Sequence, residues 1–319
     1  MPQRCPICFD VTHDVALGRP AHIAGTLFVP EIHGSQPKVA VLVPGGGFTR
    51  RYFDLELEGH PNYSAAMQLA GRGWTVVAID NLGTGESTIP DNGLDVTLDR
   101  SASALASVAC QLRVMARSGA LHPSLPAREP IVVGIGHSLG GCIVTLMQGD
   151  HSVCDAIVVL GYSCRYIKGA VDPETGERLR RRESVGNGYN RTTPSHHRER
   201  FYSEKVPLAI IEAEEAGRVP MPDGVAEALI PGRTASAAAR IRVPVLLAFG
   251  ERDVAPEPHA EPGYYHGSND ITLLMLADSG HAHNSAPGRV AFWNRIGGWM
   301  DAVTGEQEKC LPLQGDFRS

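Results

Sequence analysis

No stretch of this 319-residue chain approaches the roughly 18 consecutive apolar residues that a bilayer-spanning helix requires, so no membrane span is expected. Basic excess is also missing: 29 Lys and Arg stand against 35 Asp and Glu, a formal net charge of −6. Without surplus positive charge to neutralise phosphates, nucleic acid is not an expected partner. The opening "MPQRCPICFDVTHDV" lacks the apolar region of a signal peptide, and a cytosolic location is expected. Cysteines are few and odd in number: Cys5, Cys8, Cys110, Cys142, Cys154, Cys164 and Cys310. Seven thiols dispersed over a long chain do not make a disulfide framework, so they are expected to be reduced. Cys5-Pro-Ile-Cys8 has zinc-ligand spacing, but no second C-x-x-C or His pair follows it. It reads as a plain N-terminal segment, and no metal is expected.

What is present is an ordinary globular composition, 43% apolar and 20% charged. Six short apolar runs read as buried strands: Val39–Val43, Trp74–Ile79, Ile131–Ile135, Ala156–Leu160, Val243–Phe249 and Ile271–Leu276. Such runs are what a parallel sheet covered on both faces needs. Helical spacing follows most of them, at Asn62–Gly73, Leu98–Arg113, Leu139–Gly149 and Arg289–Val303. Strands alternating with helices predict an α/β fold with a doubly wound, mostly parallel sheet. "AHIAGTLFVP" alternates more and ends in Pro30, as an antiparallel edge hairpin would.

One interval breaks this rhythm. From Ser163 to Ala239 there is no buried-strand run, but there are "RLRRRE", "HHRER", several prolines and a helical stretch, Val206–Ala216. A structureless loop of that length does not suit a compact domain. The expected organisation is a core of residues 1–162 and 240–319, with an inserted, partly helical cap at 163–239. Its arginines (Arg178, Arg180, Arg181, Arg182, Arg198, Arg200) read as a solvated face, or alternatively as a steering surface for an anionic substrate.

Four stretches carry chemistry. In "VVGIGHSLGGC", Ser138 sits where a buried strand meets a helix, inside the G-x-S-x-G pattern Gly136–Gly140. Acyl transfer needs a hydroxyl thrust out on a strained turn, with small residues two positions either side so that strand and helix can approach. The plainer reading is a serine capping a helix. The helix start also offers the Leu139 N–H to a developing oxyanion. In "VLVPGGGFTRRYF" a strand ends at Pro44 and three glycines follow, making Gly46 and Gly47 candidates for the second oxyanion donor. "AIDNLGTGES" reads as a tight structural turn, and Asp80 is not assigned a catalytic role. A serine also needs a base, and the base an orienting acid. "LLAFGERDVAP" puts Asp253 just past a strand end, with Glu251 and Asp278 as rival acids; "LLMLADSGHAHN" does the same for His281, with His283 as rival base.

These signals fall on one sheet edge, where open α/β sheets place their sites. On "PGGGFTRRYF", "DNLGTGES", "GIGHSLGG", "FGERD" and "DSGHAHN", the sequence resembles the α/β-hydrolase fold family, in the subgroup with a cap inserted after the sixth strand, over roughly residues 21 to 305. The resemblance implies that Ser138 is a nucleophile, His281 its general base, Asp253 the orienting acid, and the Gly46 and Leu139 amides an oxyanion hole. Pro44 departs from the His that many relatives carry before the glycine. The serine argues against the dehalogenases and epoxide hydrolases of this fold, which use aspartate there. The implied reaction is hydrolysis of a small-molecule carboxylic ester without metal or organic cofactor. Thioesterase, lactonase and C–C bond hydrolase chemistry use the same triad, and a non-catalytic binding protein is the remote alternative. Oligomeric state is left open, a homo-oligomer included.

Overall fold

The computed structural model describes residues 1–170, 172, 174–175, 183–191 and 198–305. The chain runs β1 (Gln3–Asp10), α1 (Thr12–Val15), β2 (His22–Val29), β3 (Lys38–Val43), α2 (Ala65–Gly71), β4 (Thr75–Ile79), α3 (Leu98–Ser118), β5 (Ile131–His137), α4 (Leu139–His151) and β6 (Ala156–Leu160). Then come β7 (Glu183–Gly186), β8 (Tyr189–Arg191), α5 (Arg198–Phe201), α6 (Leu208–Ala216), β9 (Met221–Pro222) and α7 (Ala235–Arg240). The last elements are β10 (Val245–Gly250), β11 (Ile271–Leu276) and α8 (Arg289–Thr304).

Eight strands form the main sheet in the order β1-β2-β4-β3-β5-β6-β10-β11. β1 and β2 are antiparallel to their neighbours; from β4 to β11 every pair is parallel. Side chains alternate between two apolar layers. Val39, Val41, Val132, Ile157, Val159 and Leu247 enter one; Ala40, Leu42, Val133, Ile135, Val158 and Ala248 enter the other. Burial on both faces is why these strands read as continuous apolar runs rather than alternating ones.

All six apolar runs are strands, within two residues of the expected limits. The predicted hairpin exists, but its outer strand is the segment that read as a plain N-terminus: Gln3–Asp10 pairs with His22–Val29 along its whole length. Three residues apart on a strand, Cys5 and Cys8 point to opposite faces, which separates the two thiols. Within 163–239 the helical stretch is α6, started after Pro207 rather than at Val206. The small sheet β7-β8-β9 was not expected. Glu183–Gly186 is exposed throughout, so no apolar pattern marks it. Arg178, Arg180, Arg181, Arg182 and Cys310 lie outside the described residues. Among those described, no helix is long and apolar enough to cross a membrane, and no group of three or more His, Cys, Asp or Glu could hold a metal ion.

Candidate active site

The C-terminal ends of β3, β5, β6, β10 and β11, five consecutive strands of the sheet, converge on Ser138. It follows β5 directly, with φ 54° and ψ −118°, a left-handed conformation that costs a non-glycine residue about 1–3 kcal/mol. The flanking glycines make that turn sterically feasible. A Cβ on Gly136 would overlap the Gly140 carbonyl, and one on Gly140 would overlap the Val43 carbonyl. Ser64 and Thr97 cap α2 and α3 through their side chains, accepting from Met67 N at 3.0 Å and Arg100 N at 3.2 Å. Ser138 makes no such bond to α4. Its Oγ lies instead 2.8 Å from His281 Nε2. The capping reading therefore fails on geometry.

His281 Nδ1 lies 2.7 Å from Asp253 Oδ1, and both side chains are almost wholly buried. Asp253 Oδ1 also accepts the Val254 N–H at 2.7 Å, while Oδ2 accepts the Gly250 N–H at 2.9 Å. Burial alone would raise this carboxyl, but the charges and hydrogen bonds of His281 and His283 outweigh it and hold Asp253 well below the usual carboxylate range. The rivals sit elsewhere. Glu251 accepts the Asp278 N–H at 3.0 Å, and Asp278 pairs with Lys205 at 2.7 Å on the surface. His283 does not reach Ser138; its Nε2 is 2.6 Å from Asp253 Oδ2.

The glycine turn after β3 stands against the same serine. A Cβ on Gly45 would lie 3.2 Å from Ser138 Cβ, and one on Gly46 would lie 3.6 Å from Leu139 Cδ2. Gly46 and Leu139 are thus brought together beside Ser138. Gly47, at φ +76°, faces Val219, whose N–H bonds the Gly47 carbonyl at 3.0 Å. The Pro44 carbonyl accepts Asn81 Nδ2 at 2.9 Å. Asp80 is away from the serine: it accepts the Arg50 N–H at 2.7 Å and the Glu86 N–H at 2.9 Å, and ion-pairs with the Arg50 guanidinium. It fastens the far end of the glycine turn.

Several residues of this site carry no sequence signal. His137 is fully buried, stacks on Tyr52 (centroids 4.5 Å apart, planes 15°) and reaches the His281 carbonyl with Nε2 at 2.8 Å. Burial, with the neighbouring His281 and His283, keeps its basicity well below that of an ordinary imidazole, so it is a neutral donor there. Gly161, after β6, has φ +60°; a Cβ would lie 2.9 Å from His281 Nδ1 and 3.2 Å from Asp253 Oδ2. From the 163–239 interval, the Arg200 and Phe201 carbonyls accept the N–H groups of His281 (2.8 Å) and Ala282 (2.9 Å). The Phe201 ring meets His281 edge-on at 4.9 Å. Arg218 lies over both Phe48 (4.3 Å) and Phe201 (5.0 Å). Arg198 is paired with Glu215 at 2.7 Å and Arg200 with the Lys168 carbonyl at 3.2 Å.

Residues 40–291 match the alpha/beta hydrolase family, and the chain belongs to that family. No curated protein matches it in sequence. Among solved structures it is similar to a bromoperoxidase from Bacillus anthracis, at 16% identity and a TM-score of 0.63, over 93% of this chain and 100% of that one. A thermophilic esterase from Thermogutta terrifontis is 17% identical with a TM-score of 0.61, over 94% and 99%. A Paleococcus ferrophilus monoacylglycerol lipase is 15% identical with a TM-score of 0.60, over 95% and 100%. At these identities the structures share the fold.

Proposed function

We propose that the protein is a serine hydrolase acting on carboxylic esters of small molecules. The observation that carries this reading is the continuous set of contacts Ser138 Oγ–His281 Nε2 and His281 Nδ1–Asp253 Oδ1, at 2.8 and 2.7 Å. A hydroxyl so placed gives its proton to the imidazole as it attacks an acyl carbon, and the carboxylate steadies the imidazolium that forms. The acyl oxygen, now negative, accepts the Gly46 and Leu139 N–H groups, with Gly47 the remaining candidate donor. His281 returns its proton to the leaving alcohol as the C–O bond breaks. Water, deprotonated by the same imidazole, then releases the acid and regenerates Ser138.

In this reading residues 1–162 and 240–319 form the catalytic core and 163–239 the cap. The contacts of Arg200, Phe201 and Val219 with the His281 and Gly47 loops support the cap assignment. A cytosolic location fits the six unbridged cysteines among the described residues.

The test is a panel of p-nitrophenyl esters of graded acyl length, with lactones and thioesters alongside, on untreated protein, while a separate aliquot is titrated with a fluorophosphonate. Labelling together with turnover of the esters is the expected result. Labelling with turnover of lactones or thioesters alone would move the reaction class, and absence of labelling would remove Ser138 as nucleophile. Gly161→Ala supplies a second check. A methyl there presses on both His281 and Asp253. A displacement of about 1 Å at a reacting group costs on the order of 10²-fold in rate, so kcat/KM is expected to fall about that much in a protein that remains folded by circular dichroism. Unchanged kcat/KM would mean that the imidazole is not held as described.

A further inference from the structure

We propose that His283 is a positioning residue for His281, acting through Asp253: it donates Nε2–H to the carboxylate oxygen that His281 does not use, fixing the carboxylate and limiting the basicity it confers on His281. This rests on the Ser138–His281–Asp253 reading above.

The tautomer follows from the surroundings. Nε2 lies 2.6 Å from Asp253 Oδ2, a charge-assisted distance, so that nitrogen carries the hydrogen. The Gly250 N–H, 3.1 Å from the same nitrogen, is satisfied by Oδ2 at 2.9 Å instead. His283 is fully buried, and its Nδ1 has no hydrogen-bond partner. A second proton on that atom would be a buried donor without an acceptor, a costly state. His283 is therefore a neutral donor.

Asp253 is in consequence saturated. Oδ1 serves His281 Nδ1 and Val254 N; Oδ2 serves Gly250 N and His283 Nε2. Four donors fix the carboxylate plane and hold it ionised. They also divide its charge, so His281 receives less of it than from a carboxylate with a free lone pair. The remaining titratable group facing the two imidazoles is His137, whose ring lies 4.7 Å from His281 and 5.6 Å from His283. It stays neutral and does not set the acid limb. Elsewhere the two imidazoles meet Phe201 and Phe292 rings. Tyr52 is stacked on His137 and lies within the electrostatic reach of Glu214, which accepts the Ser285 hydroxyl.

Two substitutions separate donation from packing. His283→Phe keeps a ring against Phe292 and His137 but removes the donor; His283→Gln removes the ring and keeps an N–H at nearly the same reach. The phenylalanine variant is expected to lose about tenfold in kcat, with the acid limb of kcat/KM moved to higher pH by about one unit. The glutamine variant should restore most of both. If the Phe variant has the wild-type limb, or the Gln variant is the more damaged, His283 is a packing residue and the proposal is wrong. A second readout needs no turnover: in protein carrying ¹⁵N-histidine, wild type should show two strongly downfield imidazole N–H signals, and Asp253→Asn should displace both. A single downfield signal in wild type would overturn the proposal even if the Phe variant failed to fold. Failure of the triad reading looks different, since fluorophosphonate labelling would then be absent in the wild type itself.

Discussion

Ser138→Ala is expected to fold normally, to lose fluorophosphonate labelling and to lower ester hydrolysis by about 10⁴-fold or more. Fold and chemistry separate cleanly at this position. The hydroxyl makes no capping bond to α4, so the usual cost of about 1 kcal/mol for deleting a cap does not arise. The left-handed backbone at φ 54° is as strained for alanine as for serine, and the Ser138 N–H bond to the Leu160 carbonyl, 2.8 Å, is kept. The proposed mechanism has no substitute nucleophile, because Oγ is the hydroxyl that lies 2.8 Å from His281 Nε2. Groups that act as one unit lose their effect together, so Ser138→Ala/His281→Ala should be scarcely slower than either single variant. Equal labelling of wild type and Ser138→Ala, or rates that multiply in the double variant, would disprove the assignment.

Asp253→Asn is the second large effect, with kcat expected to fall about 10⁴-fold, as removal of the orienting charge does in serine proteases. Here the site leaves the amide no acceptable orientation. Both carboxylate oxygens face two donors each. An Asn NH₂ group must therefore point at donors whichever way it flips, and it favours the wrong His281 tautomer. Stability changes as well. The folded carboxyl lies well below its ordinary value, so its contribution is fully present above the unfolded pKa of about 3.9 and is lost as pH falls through the folded value. Thermal melts should show the variant less stable than wild type at neutral pH, with the gap closing in acid. A gap independent of pH would mean that Asp253 is not held ionised by its neighbours.

The sheet was legible because burial on both faces leaves long apolar runs, as at Lys38–Val43 and Ile131–His137. Edge and surface elements were not. β1 pairs in full with β2, yet its residues alternate too weakly to mark it. The β7 strand is exposed along its length. At the site, Ser138, Asp253 and His281 could be named as candidates because each follows a strand that ends on the same edge. His281 was preferred to His283 because it directly follows Gly280 where the strand ends, although only two residues of sequence separate imidazoles with quite different neighbours.

The order of residues along the chain was enough to specify the class of architecture and to collect the candidate side chains on one sheet edge. Apolar periodicity sets which segments pair and bury, and glycines two positions either side of Ser138 permit a turn that larger residues would block. Packing of the folded chain adds that the preferred His281, and not His283, meets the serine, that Gly161 leaves the space His281 and Asp253 occupy, and that Asp253 serves two histidines. The reason is physical. Hydrogen bonds act over about 3 Å, and the distances between Ser138, Asp253 and His281 are set by the spacing and twist of neighbouring strands rather than by their separation along the chain.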